Sequence, residues 1–171
     1  MDVFEAIRTK LEIREFSDKR VPDKVKLEVL EAGRLSPTGL NTQHWRFILV
    51  EDKENLRRLA DVSTTGKWVA GADFAVIVLT DPKYPFHLID AGRAVQDMQL
   101  AAWNHGVLSC IYTGVKEDEM RKTFKIPGDL VITAVIGFGY PKKKVIGKKD
   151  RLPLEQVAFS ELYGNKLRKL E

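Results

Sequence analysis

The sequence predicts an α+β or α/β fold, one domain over residues 1–171 with a sheet of about four strands. Two observations carry this. Segments with apolar residues at helical spacing come first and then alternate with short apolar runs of strand length. One of those runs, residues 73–80 (DFAVIVLT), is apolar at nearly every position, as in a strand covered on both faces. The composition agrees: 44% of the residues are hydrophobic and 30% charged, the balance of an ordered globular chain.

Taken in order, Asp2 can cap a first helix over residues 2–11, with Val3, Phe4, Ile7 and Leu11 as its apolar stripe. SDKRVP is a turn, and Pro22-Asp23 opens a second helix to about Leu35, with Val25, Val29 and Ala32 on one face. Ser36-Pro37 stops it, because the residue before a proline disfavours helical backbone. Residues 46–50 read as a strand, and Asp52 can cap a third helix, KENLRRLADV, whose Leu56, Leu59 and Ala60 face inward. The 73–80 run is the central strand, ended by Asp81-Pro82. Residues 86–105 form the longest helix, apolar at Leu88, Ala91, Val95, Met98 and Ala102, with Gly106 as its C-terminal cap. Asp90, Arg93 and Asp97 on another face read as a charge ladder rather than a catalytic carboxylate pair. Residues 107–112 are a strand, Thr113-Gly114 a turn, 116–125 a charged helix and 131–140 the last strand. The tail PLEQVAFSELYG carries helical and aromatic packing residues and suits packing on something else, a partner subunit being one candidate.

Several functional classes are disfavoured. No stretch approaches the roughly 18 consecutive apolar residues of a membrane span, and MDVFEAIRTK has no signal-peptide core, so a cytoplasmic protein is expected. Cys110 is the only cysteine and reads as a small buried thiol inside VLSCIY. His44, His87 and His105 have no metal-ligand spacing, so no metal site is expected. GFGYP at 137–141 lacks the third glycine and the following helix of a dinucleotide fingerprint, TGKW is not a phosphate loop, and no nucleophile elbow is present.

What survives is a combination. Arg8, Lys10 and Arg14 cluster near one end of the chain; Lys142, Lys143, Lys144, Lys148, Lys149 and Arg151 cluster near the other. Between them lies the polar, kinked loop SPTGLNTQHW, and a Thr-Gly turn follows the 107–112 strand. Basic groups from distant segments suit a phosphate, and the amides and hydroxyls of Thr38, Asn41 and Gln43 suit the edge of a heterocycle. Together they describe a nucleotide-like cofactor; a solvated basic face with an ordinary loop is the other reading. The net charge of +4 also admits nucleic acid, but the 142–151 stretch lacks interleaved stacking aromatics, so no nucleic-acid partner is expected.

Five motifs in order resemble the nitroreductase family of FMN-dependent oxidoreductases, from about residue 3 to 164. Lys10-Leu11-Glu12-Ile13-Arg14-Glu15-Phe16 stands where the family carries R-R-S-x-R-x-F. Pro37-Thr38-Gly39-Leu40-Asn41-Thr42-Gln43-His44-Trp45-Arg46-Phe47 resembles P-S-x-x-N-x-Q-P-W-x-F. Gly106-Val107-Leu108-Ser109-Cys110 is similar to G-L-G-S-C, Gly137 to Pro141 to a G-Y-P strand end, and Lys149 to Glu155 to K-x-R-x-P-L-E. Three positions depart: Leu11 for a basic residue, Glu12 for serine and His44 for proline.

The resemblance implies an α+β nitroreductase-like fold, with a central, mostly antiparallel sheet flanked by helices and a C-terminal tail wrapping the partner subunit. It implies a homodimer with FMN at the subunit interface. Lys10, Arg14, Lys149 and Arg151 would hold the phosphate and ribityl chain. Pro37, Thr38, Gly39 and Asn41 would reach the ring from the other subunit, with Gln43 supporting that loop. Ile111, Tyr112, Thr113 and Gly114 would lie by the flavin, with backbone N–H groups able to reach it. Glu12, beside a phosphate, is expected to point away or pair with Arg14 or a nearby lysine, and His44 to add a donor near the ring. The implied activity is ping-pong hydride transfer from NADH or NADPH to a small aromatic or quinone-like acceptor, with no protein acid or base required. Dehalogenation or flavin fragmentation on the same fold is one alternative; a flavin- or nucleic-acid-binding protein without turnover is another.

Overall fold

The computed structural model describes residues 2–167. The helices are α1 (Val3–Thr9), α2 (Asp23–Leu35), α3 (Lys53–Asp61), α4 (His87–Asn104) and α5 (Glu117–Phe124); the strands are β1 (Arg46–Val50), β2 (Phe74–Thr80), β3 (Leu108–Tyr112) and β4 (Val131–Gly139). The four strands form one antiparallel sheet in the order β1-β2-β4-β3, which is the α+β alternative.

β2 is central and every residue in it is buried. The reason is alternation on a sheet covered on both sides. Phe74, Val76 and Val78 pack with Ala134, Ile136 and Phe138 against α2 and α4, burying Val25, Val29, Ala91 and Met98. Ala75, Ile77 and Leu79 face the other way, with Val135, against Leu56 and Leu59 of α3 and Met120 of α5. Lys26 of α2 is only 3% exposed and is held by Glu51 at 3.0 Å and Asp73 at 3.6 Å, so the buried cation is paired.

Two expectations need correction. The first helix ends at Thr9 rather than at residue 11, because the next residues are drawn into extended pairing along the outer edge of β3. Ile13 N–H donates to Ser109 O at 3.1 Å, and Glu12 forms a parallel bridge to Ser109. The expected inward stripe of that helix is also turned out: Val3, Phe4 and Ile7 are exposed and only Ala6 is buried. The tail is likewise not helical. Between 153 and 164 it forms a single 3-10 turn (Leu154–Gln156), and left-handed backbone at Glu161 breaks any longer helix. Leu152, Leu154, Val157, Leu162 and Tyr163 remain exposed. A short amphipathic segment gains most of its helical stability from packing its apolar face, and among the described residues that face is left exposed.

The GFGYP glycines serve packing. A Cβ on Gly137 would come 2.7 Å from the Trp68 ring, so the bare backbone is what lets the indole lie on the sheet. Gly137→Ala is expected to destabilise the fold by about 1–3 kcal/mol through overpacking, read as a lower urea midpoint at unchanged m-value.

Candidate functional site

The extended segment after α1 sets the electrostatics. With alternate residues on one side, Lys10, Glu12 and Arg14 fall on one edge of the segment, and the half-buried Leu11 and Ile13 on the other. Further on, Phe16 bridges Pro141 and Ser17 N–H donates to Tyr140 O at 2.8 Å, so the chain leaving β4 is laid beside the same segment. Two adjoining grooves result. One, of about 730 Å³, includes Lys10, Gln96, Gln99, Lys148, Lys149 and Arg151 in its lining. The other, of about 710 Å³, includes Arg14, Cys110, Pro141, Lys143 and Lys144. Glu12 and Ile111 line both and form their common wall.

The structure thus brings Lys10, Lys149 and Arg151 into one groove and Arg14 into its neighbour. Glu12 takes up the expected pairing with a lysine: it bonds Lys10. Lys149 reaches back to the Ile7 carbonyl near the end of α1, where a cation is favourable. Its ammonium pKa is lowered by its own desolvation and then by the neighbouring Lys10 and Arg151 charges, the mark of cations crowded together.

β3 is an edge strand. Since Ser109 O accepts Ile13 N–H from the outer side, alternation turns the main-chain N–H and C=O of Ile111 outward as well, at the wall between the grooves. Ile111 is 37% exposed there. Tyr112 is different. Its side chain faces the opposite side of the sheet, its hydroxyl bonds Ser63 at 2.8 Å, and burial pushes its pKa up to about 12, so it is a neutral structural phenol. Gly114 O accepts from Thr64 N at 2.9 Å, fixing that turn to the 63–65 segment; Thr113 is exposed, and Thr113 and Gly114 line neither groove. Cys110 is buried and its thiol pKa is raised by that burial, as expected of an unreactive core cysteine.

The loop of residues 38–43 has unusual backbone. Leu40, Asn41 and Gln43 all have left-handed φ, at 52°, 53° and 48°, and such residues persist only where their surroundings hold them. The holder is Asp90, whose carboxylate was read from the sequence as part of a surface ladder. The residue is 3% exposed; Oδ2 accepts Gly39 N–H at 2.9 Å and lies 3.1 Å from His44 Nε2. Arg93 lies 3.4 Å from Oδ1, the one rung of the ladder that forms, while Asp97 accepts the Ser36 hydroxyl at 2.5 Å. Thr38 closes the loop by accepting Gln43 N–H at 3.1 Å, and a Cβ on Gly39 would strike the Phe86 ring at 2.6 Å. Trp45 anchors the exit, donating to Gly33 O at 2.8 Å. Leu40, Asn41 and Gln43 are left facing solvent on a held frame.

Pro37, Thr38, Gly39 and Asn41 line neither basic groove, and Gln43 lines a separate one with Trp45 and Phe47. The separation is geometric. The loop is tied to Asp90 and Asp97 on one flank of α4, whereas Gly92, Gln96 and Gln99 line the groove from another flank, roughly 100–180° away at about 100° per residue. Within one chain, the loop and the two basic grooves share no lining residue. His44, expected to donate near a ring, is 1% exposed at its side chain and spends Nε2 on Asp90. Sequence reasoning missed Asp90 and Gln99; the signal available was a carboxylate and an amide at the margins of an otherwise apolar helix face.

Comparison with known proteins bears on the family and the fold. The model of the Nitroreductase family matches residues 7–81 and 64–140. A protein of Methanothermobacter thermautotrophicus, provisionally named NADH dehydrogenase/NAD(P)H nitroreductase, is 33% identical over 169 residues, 91% of this chain and 88% of the relative. One of the same provisional name from Archaeoglobus fulgidus is 34% identical over 146 residues, 80% of this chain and 83% of the relative. The solved structure of an FMN-dependent nitroreductase from Clostridium difficile superposes with a TM-score of 0.86 at 22% identity, over 94% of this chain and all of that one.

The clamp is testable. Asp90→Ala leaves the Gly39 N–H without its acceptor and His44 without its partner, at an expected cost of about 2–4 kcal/mol. Chemical denaturation measures the loss. Amide exchange at residues 38–43 is expected to accelerate more than exchange in β2.

Proposed function

Because the chain belongs to the nitroreductase family of oxidoreductases, we propose that it binds FMN between two copies of itself. Its activity is the reduction of a small aromatic or quinone-like acceptor at the expense of NADH or NADPH. The observation that carries the reading is the convergence of Lys10, Lys149 and Arg151 in one groove, with Arg14 beside it. Burial lowers the Lys149 pKa and the neighbouring Lys10 and Arg151 charges lower it further, and an anion such as a phosphate ester would relieve that crowding.

The donor set fits that cofactor. Lys10, Lys149 and Arg151 suit its phosphate, and the outward main-chain groups of Ile111 suit the polar edge of its ring system. The grooves, of about 730 and 710 Å³, fall in the range of small-molecule sites. The Thr38–Asn41 loop lies on the far flank of α4 from its own groove, which supports its serving the groove of the second copy. The exposed apolar side chains of α1 and of residues 152–163 are of the kind that a partner subunit covers. Bound FMN would supply two-electron hydride chemistry in alternating half-reactions, with nicotinamide as donor and the second substrate as acceptor. The chain's own task is then to orient the cofactor, hold its charge and exclude competing contacts. Tyr112 and His44 are buried and face other partners, and Cys110, although it lines the second groove, is buried with its thiol pKa raised, so no acid or base among them is assigned to the reaction.

The purified protein is expected to be yellow or to take up added FMN, and to bleach on anaerobic addition of NADH or NADPH. A colourless protein that fails to bind added FMN would refute the reading. Arg151→Ala is expected to weaken FMN binding about tenfold, as loss of one charge-assisted contact, with little effect on riboflavin. Equal affinity of the variant and the unmodified protein for FMN would remove Arg151 from the phosphate site.

A further inference from the structure

Glu12 occupies the position where the family pattern carries serine, and it puts a carboxylate among the groove's cations. Its surroundings are well defined. Lys10 is only 7% exposed, and its ammonium bonds both Glu12 and Gln99 Oε1, the latter at 3.0 Å. Gln99, 3% exposed, closes the ring: Nε2 donates to the two Glu12 oxygens at 3.1 and 3.3 Å and to Ser109 Oγ at 3.0 Å. Both carboxylate oxygens are thus committed to the groove floor, at the wall shared by the two grooves.

We propose that Glu12 is a specificity-determining residue, an internal anion that pairs Lys10 in the flavin-free chain and lowers the site's preference for a phosphorylated over an unphosphorylated flavin. This rests on the reading that the groove takes FMN. A buried ammonium needs a counter-charge, and Glu12 provides one without any ligand. A phosphate arriving at Lys10 must then either displace that carboxylate or sit beside it, and both weaken binding. Riboflavin, with a hydroxyl in place of the phosphate, meets no such competition. The remaining cations, Lys149 and Arg151 in the same groove and Arg14 in the next, are not paired to Glu12. They continue to attract the phosphate, so Glu12 narrows the discrimination rather than abolishing it.

The test uses the full chain stripped of flavin, titrated with FMN and with riboflavin by quenching of flavin fluorescence. Glu12→Gln keeps the shape and removes the charge. It is expected to bind FMN about tenfold more tightly, as for removal of one like charge at partly screened contact range, and riboflavin within about twofold. Glu12→Ser, the family's residue, is expected to shift the ratio in the same direction and decides the matter if the first variant is poorly folded. Melting temperatures of the flavin-free proteins report folding separately. An unchanged FMN-to-riboflavin ratio in the folded variants, or weaker FMN binding, overturns the inference and leaves the proposed function standing. Loss of folding in both variants overturns it too, by making Glu12 structural. Failure of the unmodified chain to bind either flavin overturns the underlying reading and the inference with it.

Discussion

One carboxylate, that of Asp90, fixes how the polar loop sits on the rest of the molecule. It is buried at the start of α4 and accepts from the Gly39 main chain and the His44 ring. Left-handed backbone at three non-glycine positions costs of order 1–3 kcal/mol each, and hydrogen bonds to a charged group contribute roughly 1.5–3 kcal/mol each. The clamp, with Thr38 closing on Gln43 and Trp45 pinned to Gly33, is therefore of the size needed to hold the strain. The loop is not free coil. It is a held frame that displays Asn41 and its neighbours, and a segment ordered in advance loses less conformational freedom on binding.

The second constraint is the open edge of β3. Pairing of residues 12–13 along it ends α1 early, aligns Lys10, Glu12 and Arg14, and brings the basic stretch after β4 alongside. The cations gather because the sheet edge and the chain path gather them; the Lys149 pKa is lowered by desolvation there and then by the Lys10 and Arg151 charges. α4 separates this basic edge from the clamped loop, which is the arrangement that the proposed pairing of two chains would use.

The sheet and its helices were legible in the sequence because they follow local rules. Periods of two and of 3.6, the caps at Asp2 and Asp52, and the proline at 37 mark elements that the structure places within about two residues of expectation. The basic clusters were legible as charge, and their convergence required the fold. Less was readable where a residue's partner is distant in sequence. Asp90 looks like a surface charge until Gly39, 51 residues away, is seen to donate to it. The stripe of α1 and the tail have apolar faces with helical promise that stay exposed among the described residues. Tyr112 and Ile111 are adjacent in sequence, yet one faces the core and the other the groove wall, a difference fixed by register with β4.

The departure at His44 follows from the same backbone. A proline at 44 would press residue 43 toward extended conformation, whereas Gln43 here is left-handed at φ 48°. The histidine removes that restriction and supplies Nε2 to Asp90 at 3.1 Å, with Tyr84 and Phe86 packed around the ring at 5.2 and 6.1 Å. A loop that proline would shape through its own ring is instead shaped through a buried charge on α4. The two devices differ in one physical respect: a covalent restriction is indifferent to its surroundings, while a carboxylate–imidazole contact holds only as long as the helix that carries Asp90 stays in place. In this chain the shape of the loop and the position of α4 are therefore coupled, and any displacement of that helix is felt at Gly39 first.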